Sequence, residues 1–201
     1  MSGVGTDPES ESAYVRARAK GDAAVAEAYP GATFLKPSVV FGPGDHFTTT
    51  FARMAQWSPV MPVIGGGKSK VQPVYVGDVA DAAMVALHDP ATAGKSYELG
   101  GPRLYTYRQI VEMIMVETRL NRLLLPMPFW QASLLAILSA PLPNPPITRD
   151  MVTLLRQDNL VSEGAAGLAD LGIAPKLLEA MLPTYMDAYR KGGRFKDPRH
   201  A

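Results

Sequence analysis

Tyr14 and Arg18 stand four residues apart in the stretch Ser-Ala-Tyr-Val-Arg-Ala-Arg-Ala-Lys-Gly-Asp at positions 12–22. On an α-helix of about 3.6 residues per turn, that spacing sends both side chains out of one face. The pairing has a chemical use. A cation beside a phenol favours the phenolate, which is what a tyrosine needs to exchange protons near neutrality. Lys20 lies six residues from Tyr14, about 240° further round the helix, so it is not a direct substitute for Arg18. Taken alone, Tyr-x-x-x-Arg fits a solvated basic helix with a packed tyrosine better than a site, because short motifs match by accident. The segments that follow raise the chemical reading.

A helix over 13–28 would carry the pair, with Ser12 as its N-cap and a stop before Pro30-Gly31. Residues 32–36, Ala-Thr-Phe-Leu-Lys, read as a short strand that enters Pro-Ser-Val-Val-Phe-Gly-Pro-Gly-Asp at 37–45. A strand after a helix of that length implies a β-α-β unit and a parallel sheet, which is α/β architecture. A second helix over 46–56 would set Phe47, Phe51 and Met54 on one side. Residues 59–67, containing the Gly65-Gly66-Gly67 run, read as a mobile loop. It is not a phosphate loop, since the glycine required five positions before Gly67-Lys68-Ser69 is Pro62.

Val71, Val74 and Val76 suit a strand, and Asp78 can cap the helix rich in Ala, Met, Val and Leu that follows. Asp78 is therefore read as structural, with Gln72 and Tyr75 as better contact candidates. Residues 94–101 give a short strand and turn. Thr106 with Gln109 three residues on fits a capping box for a helix to about residue 120.

No charged residue occurs between Arg122 and Arg149. Prolines at 126, 128, 141, 143, 145 and 146 confine any helix there to 129–140, about 18 Å against a hydrocarbon core of about 30 Å. That helix, with Trp130 and several leucines, would pack inside the protein or dock on a partner or membrane surface rather than span lipid. Beyond it come a helix over 148–157, the Asp158-Asn159 loop, and a last helix of about fourteen residues starting at Pro175.

Composition sets outer limits. With 201 residues, 47% of them hydrophobic, and net charge +1, the chain can bury a core and carries no nucleic-acid footprint. It has no cysteine, hence no disulfide or thiolate metal site, and this weakly favours a reducing compartment. His46, His88 and His200 do not make a metal-ligand spacing.

Several of these segments resemble, in order, the short-chain dehydrogenase/reductase superfamily, in its extended branch of NAD-dependent epimerases, dehydratases and their non-catalytic relatives. That family's helix carries Tyr-x-x-x-Lys continued as Ala-x-Gly-Glu. Tyr14 and Gly21-Asp22 match it, and Arg18 stands where the lysine belongs. The run 36–44 resembles Arg/Lys-Pro-x-x-Val-Phe/Tyr-Gly-Pro, which lines the nicotinamide pocket, and 70–80 and 97–101 resemble later motifs of the family. Thr-Arg-Asp at 148–150, Asp158-Asn159, Leu-Gly-Ile at 171–173 and Pro-Thr-Tyr at 183–185 are similar to one subgroup, the NAD(P)H-binding accessory subunits of respiratory complex I and their bacterial relatives.

The resemblance implies the C-terminal portion of a Rossmann-like parallel sheet over 1–101, a small mostly helical substrate-side domain over 102–190, and a polar tail over 191–201. The family's Gly-x-x-Gly-x-x-Gly turn does not occur in these residues. Residue 1 would therefore fall near the end of the fifth strand, with the N-terminal βαβαβ half absent and NAD(P) binding weak or lost. An upstream sequence without that glycine motif would count against this expectation.

Carried over by position, Tyr14 and Arg18 are the catalytic pair, and Ser2, Tyr14, Arg18, Pro37, Ser38 and Val39 are the cofactor contacts. Arginine keeps the charge but is longer and planar, and it is not interchangeable with lysine. Active relatives carry a serine or threonine at the strand end where this chain has Gly3 or Val4, with only Ser2 nearby. The expected function is thus an NAD(P)-binding accessory or assembly factor of the complex I type with weak or no catalysis, cytoplasmic and peripheral at the inner face of a respiratory membrane. The alternatives are an active epimerase, dehydratase or reductase on a nucleotide sugar or similar carbonyl substrate, and a truncated fragment without function.

Overall fold

A computed structural model describes residues 1–141, 143, 147–190 and 193. The predicted polar tail over 191–201, apart from Gly193, and the Pro145-Pro146 pair lie outside the described residues. The chain runs α1 (Ala13–Ala28), β1 (Phe34–Pro37), β2 (Val40–Phe41), α2 (Thr48–Trp57), β3 (Val60–Ile64), β4 (Lys70–Val71), β5 (Val74–Tyr75) and α3 (Val76–His88). It continues through β6 (Ser96–Leu99), β7 (Tyr105–Thr106), α4 (Tyr107–Thr118), β8 (Leu123–Met127), α5 (Phe129–Ser139), α6 (Arg149–Leu154), α7 (Leu178–Met181) and α8 (Pro183–Met186).

The expected α/β architecture with parallel pairing is present, as two-stranded pairs. β1 pairs in parallel with β6, from Phe34 opposite Ser96 to Pro37 opposite Leu99. Its other edge receives residues 1–4: the Ser2 amide donates to the Leu35 carbonyl (2.8 Å) and the Val4 amide to the Pro37 carbonyl (3.1 Å). That two-residue step is the spacing of a parallel pairing. The start of the chain thus runs alongside β1 with α1 between them, the path of a β-α-β unit without a regular first strand. β2 and β5 pair in parallel, as do β3 and β8, whereas β4 and β7 are antiparallel.

The α3 helix buries Val79 and Ala82 against Leu35, Val74, Tyr97 and Leu99, which covers one face of the sheet. A second cluster joins Phe41 and Val71 to Ile110 and Ile114 of α4 and to Leu178, Leu182 and Met186 near the C-terminus. The N-terminal helix differs from both, since α1 contains no buried residue.

Several sequence expectations need correction. The strand expected from Lys70 breaks at Gln72-Pro73, since proline offers no amide to a ladder, and the two pieces pair with different partners. Asp78 is structural but not a cap. The helix starts two residues earlier at Val76 without a side-chain cap, and the buried Asp78 carboxylate instead accepts from the Lys176 amide (2.8 Å) and Nζ (3.2 Å). The single C-terminal helix from Pro175 is two short helices, α7 and α8. Pro183 cannot donate an amide, so it opens a new helix better than it continues one.

Two local signals read correctly and one did not. Ser12 caps α1, its hydroxyl accepting from the Val15 amide (3.2 Å). The mobile loop expected over 59–67 is instead β3, paired with β8, followed by a tight turn at Gly65–Gly67 with positive φ at all three glycines, packed against Phe129 and Arg108. Thr106 and Gln109 form the reciprocal capping box of α4. Thr106→Ala is expected to cost about 1 kcal/mol, read as a fall of about 2–4 °C in the thermal midpoint. An unchanged midpoint would show that α4 is held by packing alone.

Candidate functional site

The first turn of α1, the end of the 1–4 segment and the loop after β1 converge on a cavity of about 240 Å³. Its wall includes Tyr14 and Arg18 from α1, Pro37 from the end of β1, and Ser38 and Val39 from the loop. Five of the six residues singled out from the sequence therefore meet in one place. Ser2 is apart from them. It is buried, and its hydroxyl donates to Asp22 Oδ2 (2.7 Å), so it ties the strand to the middle of α1 and does not line the cavity.

Tyr14 is 50% exposed and faces the cavity, not the interior. The Arg18 guanidinium carbon lies 4.7 Å from the centre of its ring, so the cation engages the negative face of the aromatic system. A shorter lysine stem would bring a compact ammonium to this place, whereas the planar guanidinium stacks.

Ser38 is held by three bonds. Its amide donates to the Leu99 carbonyl (2.9 Å), and its hydroxyl reaches both the carbonyl and the side-chain oxygen of Asn159. Asn159 is in turn fixed by its amide on the Lys70 carbonyl (2.8 Å) and by its own carbonyl accepting from the Gln72 amide (3.1 Å).

Sequence reasoning missed part of the wall. Tyr107, Leu154, Gln157, Asp158 and Asn159 also line the cavity. The Asp-Asn pair was visible as a motif but carried no role, because a contact across more than a hundred residues leaves no local pattern. Burial pushes the Tyr107 phenol up to about 12, so at neutral pH it is a protonated donor. Gln72 and Tyr75, expected near a cleft, do not line this cavity. Gln72 donates to the Gly101 carbonyl (2.8 Å), and Tyr75 packs on Phe41 with Lys176 Nζ over its ring. Among the described residues no cluster could hold a metal ion.

The sequence profile of the 3-beta hydroxysteroid dehydrogenase/isomerase family matches residues 10–114. The chain belongs to that family. Membership carries the short-chain dehydrogenase/reductase ancestry that the Tyr14, Lys36 and Lys70 segments suggested.

The family fold extends to solved structures. The UDP-glucose 4-epimerase of Thermus thermophilus, crystallised with NAD, superposes with a TM-score of 0.62 at 19% identity, over 97% of this chain and 62% of that one. At that identity the likeness establishes the fold. Among family relatives, the Arabidopsis thaliana mitochondrial NADH dehydrogenase (ubiquinone) 1 alpha subcomplex subunit 9 is 34% identical, over 96% of this chain and 50% of its own length. The Mus musculus subunit of the same name is 31% identical over 89% of this chain and 48% of its own. The chain thus spans about half the length of the curated relatives it matches.

Proposed function

We propose that this chain contributes the nicotinamide end of an NAD(P) site in an accessory subunit of a respiratory NADH dehydrogenase, where it binds nucleotide without efficient turnover. The observation that carries this reading is the convergence of Tyr14, Arg18, Pro37, Ser38 and Val39 on one cavity. At about 240 Å³ the cavity is smaller than pockets that enclose whole organic ligands, typically about 300–1,000 Å³. It suits one ring and its sugar, not a complete dinucleotide.

The residues present fit that group. Pro37 and Val39 offer apolar contact, while Tyr14, Tyr107, Arg18 and Asn159 offer donors and acceptors around it. When bound, a nicotinamide supplies hydride chemistry that no side chain can. Two substitutions weaken the catalytic case. Gly3 or Val4 stands where active relatives place a hydroxyl, and the Arg18 cation lies against the Tyr14 ring face.

The relatives' names supply the partner. α5 buries Ala132, Ala136 and Ser139 and turns Trp130, Leu134 and Leu138 outward, the last three spaced to form one stripe. No helix among the described residues is long and apolar enough to cross a membrane. We assign this stripe to contact with the respiratory assembly, and the protein to the periphery of that complex.

Titrating the chain with NADH and with NADPH, followed by nicotinamide fluorescence, tests the site. Saturable binding is expected, with Arg18→Ala weakening it about tenfold, equivalent to about 1.4 kcal/mol. No reoxidation by a nucleotide sugar or a ketone is expected. Reoxidation that disappears in Tyr14→Phe would establish the enzyme reading instead, and absence of any nucleotide binding would overturn both.

A further inference from the structure

Gly3 sits at the end of the extended 1–4 segment, and nothing in its main chain calls for glycine. Its φ lies outside the left-handed region, unlike that of Gly5 (φ 72°). The demand comes from a side chain. A Cβ built at position 3 would fall 1.9 Å from Arg18 Nη1 and 3.1 Å from Arg18 Cζ, with the nearest backbone atom, the Pro37 carbonyl oxygen, at an ordinary 3.6 Å. The guanidinium therefore occupies the volume that any other residue at position 3 would claim.

That same guanidinium contacts the Tyr14 ring and lines the cavity. Among the described residues Arg18 makes no ion pair and no hydrogen bond, so its planar fork of donors is uncommitted. The guanidinium lies between the Tyr14 ring on one side and the bare Cα of Gly3 on the other. It is kept where an oxygen-rich ligand group entering the cavity would meet it.

We propose that Gly3 is a positioning residue, whose missing side chain admits the Arg18 guanidinium against Tyr14 and holds its donors at the cavity for ligand. Gly3 and Arg18 are a matched pair. The observed place of the Arg18 guanidinium requires glycine at 3, and a side chain at 3 displaces the guanidinium without disturbing the backbone, because the clashing atom is the far end of a flexible chain. The ligand arm of this inference rests on the nucleotide-site reading above; the conformational arm does not.

The test uses the whole chain with carbon-13 in its tyrosine rings, the Tyr14 resonance being assigned by its loss in Tyr14→Phe. In Gly3→Ala the Tyr14 ring signal is expected to move to the position seen in Arg18→Ala, and Gly3→Ala should add no further change in the Arg18→Ala background. NADH affinity should fall about tenfold in each single variant and no further in the double, the signature of two residues acting as a unit. A Tyr14 signal unmoved by Gly3→Ala, or moved equally when Arg18 is already alanine, would overturn the proposal. If Gly3→Ala fails to fold, a folded Gly3→Ala/Arg18→Ala double variant would support the pairing, and an unfolded double would overturn it. Should no variant bind NADH while the Tyr14 signal still follows the pair, the nucleotide reading falls and the positioning role stands.

Discussion

Phe41→Ala is expected to destabilise the protein by about 3–5 kcal/mol, the range for deleting a fully buried aromatic ring and leaving its cavity. Phe41 has no solvent exposure and packs with Val71, Ile110, Ile114, Leu178 and Leu182, so it joins β2 and β4 to α4 and to the C-terminal helices. The Tyr75 ring stands 5.7 Å from it, tilted by 54°, a geometry worth further stabilisation beyond burial. Val39, on the cavity wall, packs against the same cluster. The loss should therefore appear in two ways: a lower urea midpoint at unchanged slope, and weakened NADH binding under conditions where the variant is still mostly folded. A loss below about 1 kcal/mol would mean that the neighbours close the void, contrary to the usual behaviour of tightly packed interiors.

The second large effect concerns the partner. Leu134 and Leu138 are 50% and 69% exposed on α5, so changing both to aspartate removes no core contact and should leave the melting temperature nearly unchanged. Two carboxylates in a desolvated apolar contact are costly to bury. The double variant is expected to lose co-purification with the respiratory NADH dehydrogenase complex from its native membrane, while binding NADH as before. Retained association would remove α5 as the contact. Loss of sedimentation with protein-free anionic vesicles, without loss of the complex, would assign the stripe to lipid instead.

Much of the site was legible in the sequence because its parts are local. Tyr14 and Arg18 are set by helical spacing, and Ser38 and Val39 follow a strand that ends on Pro37. Ser12 and the Thr106-Gln109 box were readable for the same reason, since each cap is a contact within three or four residues. The errors fall where distance decides. Asp78 has the type and position of a cap, yet its carboxylate is claimed by Lys176. Asn159 fixes Ser38 from across the chain. Ser2 has the residue type of a site hydroxyl, but its bond to Asp22 turns it away from the cavity.

From residue order alone came the class of fold, the family, and the face of α1 that lines the cavity, because periodicity, caps and short motifs are written in neighbouring residues. Only the tertiary structure decided that Arg18 stacks on Tyr14 over a bare Gly3, and that Tyr107 and Asn159 complete the wall. Close approach between segments far apart in the chain depends on how whole elements pack, and packing has no signature in any single stretch.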